Sequence, residues 1–139
     1  MKLLSATAAL CAIMLLSSCA ALTPTGRKVR EADGLFQDRK YSDAAASYRR
    51  VIREHSGSTS TAEARFNLAR TLAWHDNPQR DYAAALQEFD EFLRAFPDHA
   101  LAHEARNWRL VLKTVDDLKK SLDQLKKLDI KHEERRKRR

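Results

Sequence analysis

Residues 41–52, Tyr41-Ser-Asp-Ala44-Ala-Ala-Ser-Tyr48-Arg-Arg-Val51-Ile52, return without a gap 41 positions later as Tyr82-Ala-Ala-Ala85-Leu-Gln-Glu-Phe89-Asp-Glu-Phe92-Leu93. The same offset carries Ala64-Arg65 onto Ala105-Arg106, so the segment after each copy repeats in place as well. A repeat of this length confines the chain to architectures in which each unit is one supersecondary element that buries its apolar side against the next. Within each copy a small residue (Ala44, Ala85) is followed one turn later on the same helix face by a large ring (Tyr48, Phe89). The small side chain allows a second helix to cross closely, and the ring fills the space beside the crossing. The unit expected is therefore an αα-hairpin, with turns at residues 55–60 and at Phe96-Pro97-Asp98-His99.

This arrangement resembles the tetratricopeptide repeat over about residues 28–112. Each copy has a tyrosine opening the second helix, an alanine three residues on and an aromatic four further; the second copy adds a proline, Pro97, eight beyond that. In the first helices Ala32 and Ala69 match the small residue, and Leu35 and Leu72 the larger one three later. The resemblance implies an all-α fold of two hairpins stacked in a short solenoid, packed through Ala32, Ala44, Tyr48, Ala69, Ala85, Phe89 and Pro97. Three departures stand out: Ser56 occupies the proline position of the first copy, Val51 and Phe92 replace a usual alanine, and the early tryptophan is missing. The second unit also has four more residues between Ala69 and Tyr82 than the first has between Ala32 and Tyr41, which predicts a longer loop at 74–80. The Phe96-Pro97-Asp98-His99-Ala100 ending is similar to the repeats of outer-membrane assembly lipoproteins of the BamD type, although only about two repeats are present.

Composition agrees with helices. Only three glycines and three prolines occur in 139 residues, and good helix formers dominate the rest. No strand pattern is evident.

The N-terminus has a separate logic. Met1-Lys2 is followed by an apolar run from Leu3 to Leu16, then Ser17-Ser18-Cys19. That run is shorter than the roughly 20 apolar residues a spanning helix needs, and it has the layout of an export signal. Leu16-Ser17-Ser18-Cys19 looks like the lipobox of a bacterial lipoprotein. The resemblance implies cleavage between Ser18 and Cys19, with residues 1–18 as signal peptide, and a diacylglycerol and an N-acyl chain on Cys19 as the only attached groups. Two or three acyl chains hold a protein stably on a membrane where one does not. Ala20, at a position where an aspartate favours inner-membrane retention in the resembling proteins, points to the outer membrane and its periplasmic face. Residues 19–27, with Thr23-Pro24-Thr25-Gly26, read as lipidated cysteine and extended linker. Cys11 goes with the signal, so no disulfide is expected.

From Trp108 the pattern changes. Val111, Val115, Leu118, Leu122 and Leu125 are spaced 4, 3, 4 and 3 apart, a heptad-type seam. Residues 113–134 are accordingly expected as a long helix that either caps the hairpins or pairs in a coiled coil. The five residues Arg135, Arg136, Lys137, Arg138 and Arg139 form a basic tail. With that tail and Lys2 set aside, 20 Lys and Arg face 19 Asp and Glu, so the body is almost neutral and carries no broad nucleic-acid-binding face. The tail itself reads either as a solvated helix end or as a contact with anionic lipid, lipopolysaccharide or peptidoglycan.

Chemistry has little to stand on. His99 and His103 are four apart, as metal ligands on a helix can be, but no third ligand accompanies them. His75-Asp76 reads as a turn rather than a catalytic pair. There is no nucleophile-elbow or phosphate-loop pattern. The expectation is a non-enzymatic adaptor in cell-envelope assembly, binding another envelope protein in the repeat groove or through the C-terminal helix. The alternative is an accessory lipoprotein of an envelope sensor kinase, suggested by Leu122-Asp-Gln-Leu125-Lys-Lys-Leu128-Asp-Ile130 and the basic run after it.

Overall fold

Thr23 and Pro24 start the first helix where the sequence suggests a linker. In the computed structural model, which describes residues 23–56 and 58–138, helix α1 runs Pro24–Gln37. The Thr23 hydroxyl accepts from the Gly26 amide at 3.0 Å, and Pro24 occupies the first helical turn, where it lacks an amide hydrogen that would have no partner there. The linker reading of residues 19–27 is thus corrected over 24–27: a proline and a glycine that look like loop punctuation serve a capped helix start, and Gly26 is buried.

Four further helices follow: α2 Tyr41–Glu54, α3 Thr59–Ala73, α4 Tyr82–Ala95 and α5 Ala102–Lys137. Every regular element among the described residues is helical. Helices α1 and α2 form one hairpin, α3 and α4 the second. Each helix packs on the next along the chain, and α1 also touches α3, so the hairpins stack. The fold is all-α, two stacked hairpins followed by a long terminal helix.

The turns have distinct causes. Between α1 and α2 the Lys40 amide reaches the Leu35 carbonyl at 2.9 Å and the Arg39 amide the Phe36 carbonyl at 3.0 Å, a Schellman stop with Arg39 in the left-handed region (φ 62°). Ser58 caps α3 by accepting from the Thr61 amide at 3.1 Å. The expected long loop spans residues 74–81 and is organised by Asn77, a buried side chain that donates to the Thr71 carbonyl and accepts from the Gln79 amide, each at 2.9 Å. Asp81 then caps α4.

Helix α5 is continuous for 36 residues, about 54 Å at 1.5 Å per residue. Its first turns cap the second hairpin through Ala102, Ala105 and Leu112, which are buried, and Trp108, which packs against the same core. The heptad stripe does not do the capping. Past Leu112 its residues are exposed, so the reading of that stripe as a capping face is corrected: a different face caps, and the helix then overhangs the domain. The division at residue 112 or 113 is absent as well, and the basic tail is in part the end of this helix, which continues through Lys137.

Candidate functional site

Three places on this scaffold could do something beyond holding it together, and the core that positions them comes first. Ala32, Ala44, Ala69 and Ala85 have no exposed surface, and neither do Tyr48 and Phe89. These are six of the seven residues expected to pack the repeats, and all six are buried. Pro97 is the exception; it is exposed in the turn after α4, where its carbonyl accepts from Arg106 at 3.2 Å, so its part is to end a helix rather than to fill a core. Phe66 is the residue that the repeat alignment misses. Its ring meets Phe89 and Phe92 edge-on at 5.6 and 5.8 Å, while Trp108 stacks on Phe89 at 6.1 Å, a chain of rings from α3 through α4 to α5. Phe92, in place of the usual alanine, also touches Phe96 and His99 and so holds the start of α5.

The first place is a polar cluster where the two hairpins meet. The Asp33 carboxylate on α1 accepts from the buried Tyr48 hydroxyl on α2 and from Asn67 Nδ2 on α3 at 2.9 Å. Burial pushes the Tyr48 phenol far above its ordinary range, and the bond to Asp33 pushes in the same direction. Tyr48 therefore stays a donor at any physiological pH. Beside it the Arg70 guanidinium lies 5.0 Å over the Phe36 ring, and its buried Nε has no hydrogen-bond partner among the described residues. Neither Asp33, Asn67 nor Arg70 has a signal in the repeat pattern. Ion pairs link helices in the same sense: Lys28 to Glu54 at 2.7 Å, Arg65 to Glu88 at 2.6 Å and Arg109 to Asp90 at 2.7 Å. The Lys28 bond holds the exposed Glu54 carboxyl below its usual range.

The second place is a cleft of about 610 Å³ between the N-terminal half of α4 and the middle of α5. Tyr82, Leu86, Leu112 and Val115 give it an apolar floor, and Arg80, Asp81, Asp116 and Lys119 stand at its edges. The third is the overhang. Val115, Leu118, Leu122 and Leu125 are 37, 60, 56 and 62 % exposed, and they continue the apolar floor of the cleft out along the helix.

The histidines stay apart from any common task. His99 Nδ1 accepts from the Leu101 amide at 3.2 Å, whereas His103 lies beside Asn107. His75 and Asp76 do approach, at 3.2 Å, in an exposed loop where Asp76 also faces Arg39 at 3.7 Å. Among the described residues no group of three His, Cys, Asp or Glu could hold a metal, and no helix is long and apolar enough to cross a membrane. Ser18 and Cys19 lie outside the described residues, as does Arg139. Of the rest of the basic tail, Arg136 pairs with Glu133 at 3.2 Å, and Arg135, Lys137 and Arg138 are exposed.

Residues 29–77, from α1 through the long loop, match the tetratricopeptide repeat family model. Over that stretch the chain is similar to the tetratricopeptide repeat, and all its regular elements among the described residues are helical. The match takes in the first hairpin and the helix that stacks on it, and the second hairpin repeats the same alanine and aromatic positions at the same offset. No curated protein and no solved structure matches the chain. Tetratricopeptide repeats commonly serve as scaffolds for binding other proteins.

Proposed function

We propose that this chain is a tetratricopeptide-repeat adaptor, lipid-anchored on the periplasmic face of the outer membrane, which holds another envelope protein during assembly of outer-membrane proteins, pili or secretion machinery. The observation that carries the adaptor reading is the continuous apolar surface from the α4–α5 cleft onto the overhang, on a scaffold whose hairpins are otherwise closed by their own rings and alanines. The anchor rests on Leu16-Ser17-Ser18-Cys19 at the end of the apolar run, and the resemblance to BamD-type lipoproteins supports the assembly role. Helix α1 begins five residues after Cys19, a distance of at most about 17 Å if fully extended, so the hairpins would sit against the membrane surface. The exposed Arg135, Lys137 and Arg138 would then offer cations to anionic lipid, lipopolysaccharide or peptidoglycan.

The test is expression of the full chain in a Gram-negative host with fatty-acid labelling and membrane fractionation. Wild type is expected to take up label and travel with outer membranes, and Cys19→Ala to remain an unlabelled precursor. Label-free processing of the Cys19→Ala variant with unchanged outer-membrane partition would refute the anchor. A second reading, an accessory lipoprotein that engages a sensor kinase's periplasmic region, draws on the same overhang, because a projecting helix with a free apolar stripe suits helical sensor domains. A site-specific crosslink from the overhang to a kinase, rather than to an assembly or pilus component, favours it.

A further inference from the structure

In the two hairpins each first helix is covered by the helix after it: α1 by α2, α3 by α4. Helix α5 is in the position of a third first helix, and its stripe has no cover among the described residues. At the place of Ala32 and Ala69 in the repeat stands Leu110, 67 % exposed, so the close alanine crossing that builds a hairpin is not available here. The stripe is instead a coiled-coil seam, two residues in seven. With Val115 and Leu122 at a and Leu118 and Leu125 at d, one flank (e) carries Lys119 and Lys126 and the other (g) Thr114 and Ser121.

The charges beside this seam are unbalanced in one direction. Lys119 and Lys126 make no ion pair among the described residues, and Asp116, close to Lys119, is paired with Lys120 at 2.6 Å. The cleft at the base of the overhang opens on the same flank. There Arg80 donates to the His75 carbonyl at 3.5 Å and has no carboxylate partner among the described residues, while the Asp81 carboxylate is engaged in capping α4, accepting from the Ala84 amide at 2.9 Å. A second copy of the chain is a poor occupant. In a parallel pair e meets g, which sets the lysines against Thr114 and Ser121, and in an antiparallel pair e meets e, which sets lysine against lysine. A membrane surface suits the stripe no better, since it is only two residues in seven wide, narrower than the apolar face of a helix that lies in a membrane interface.

We infer that the overhang of α5 docks an amphipathic helix of another protein, one whose apolar seam is flanked by glutamates or aspartates that meet Lys119, Lys126 and Arg80. This rests on the adaptor reading and names the chemistry of its partner. The probe is a synthetic three-heptad helix with leucine at a and d and glutamate at e and g, compared with the same peptide carrying lysine at e and g, each titrated against the purified full chain by fluorescence anisotropy. The glutamate peptide is expected to bind about tenfold tighter or more, with the gap closing as salt rises. Lys119→Glu with Lys126→Glu should reverse the preference, and Leu118→Glu with Leu122→Glu should abolish binding of both peptides without moving the melting midpoint of the hairpins. Equal binding of the two peptides, or none of the glutamate peptide, overturns the inference. So does sedimentation that shows self-association through the stripe, or stripe-dependent partition into phosphatidylglycerol vesicles in place of peptide binding. A photo-crosslinking residue at Ser42 on the first hairpin separates this failure from that of the adaptor reading: an envelope protein captured there, with the glutamate peptide unbound, leaves the adaptor standing and removes the overhang as its docking site.

Discussion

Gly34→Ala should stabilise this protein, and the reasoning can be followed atom by atom. Gly34 lies inside α1, three residues before its end, and is exposed. Its carbonyl accepts from the Asp38 amide at 2.9 Å, so its backbone is already committed to the helix. A methyl group built at this position meets nothing within 4 Å. The substitution therefore removes no contact and creates no clash, and what remains is the conformational freedom that glycine loses on entering a helix, about 0.8 kcal/mol relative to alanine. For a cooperative unit of roughly 90 residues that corresponds to a rise in melting midpoint of about 4 °C. Circular dichroism melts of the two proteins under identical buffer conditions read it directly. Ala32→Leu is the matched control two residues away: Ala32 has no exposed surface, and overpacking it should cost about 1–3 kcal/mol. An unchanged or lower midpoint for Gly34→Ala would refute the reasoning. A rise confined to one of two resolved transitions would show instead that the hairpins melt separately.

Tyr48→Phe removes a bond to the Asp33 carboxylate that still keeps Asn67, and should cost about 1–2 kcal/mol in urea unfolding; an unchanged midpoint would mean that the cluster contributes nothing to the stacking. Arg65 and Glu88 are 21 and 26 % exposed, so a double-mutant cycle to alanine should give a coupling of about 0.5–1 kcal/mol, fading little with salt, and zero coupling would contradict the 2.6 Å geometry. Arg39→Gly relieves a left-handed backbone at the α1 stop and should raise stability by about 0.5 kcal/mol, whereas a loss would show that the 3.7 Å contact with Asp76 matters more. Truncation after Asp117 should reduce helical ellipticity and leave the melting midpoint in place, because the residues removed bury nothing; a lower midpoint would place the overhang in the core.

The parts of this fold that were legible in the sequence are those governed by spacing. Ala44 and Tyr48 with Ala85 and Phe89 mark the hairpins because a close helix crossing tolerates few residue types, and the surplus residues before Tyr82 mark the long loop. What escaped the sequence depends on partners distant along the chain. Asp33 meets Asn67 across 34 positions, and no local pattern records a carboxylate that joins two hairpins. Thr23 and Pro24 were ambiguous for a different reason: a proline after a threonine serves a loop and a helix start equally well, and only the 3.0 Å bond to the Gly26 amide decides between them. The heptad stripe was legible as a stripe. Its exposure was not, since periodicity reports that one face is apolar and says nothing about whether the fold supplies a neighbour to cover it.

Helix α5 has no glycine or proline from Ala102 to Lys137, so nothing in its sequence provides a hinge. It is anchored at one end by Trp108 on Phe89 and, among the described residues, exposed along the rest, which makes it a lever whose fulcrum is the second hairpin. The free arm beyond Val115 is about 33 Å long, so a tilt of about 10° at the base carries the tip through about 6 Å. The cleft between Tyr82 and Leu112 lies beside that fulcrum, so a group seated there would push on the short end of the lever and its displacement would be multiplied at the tip.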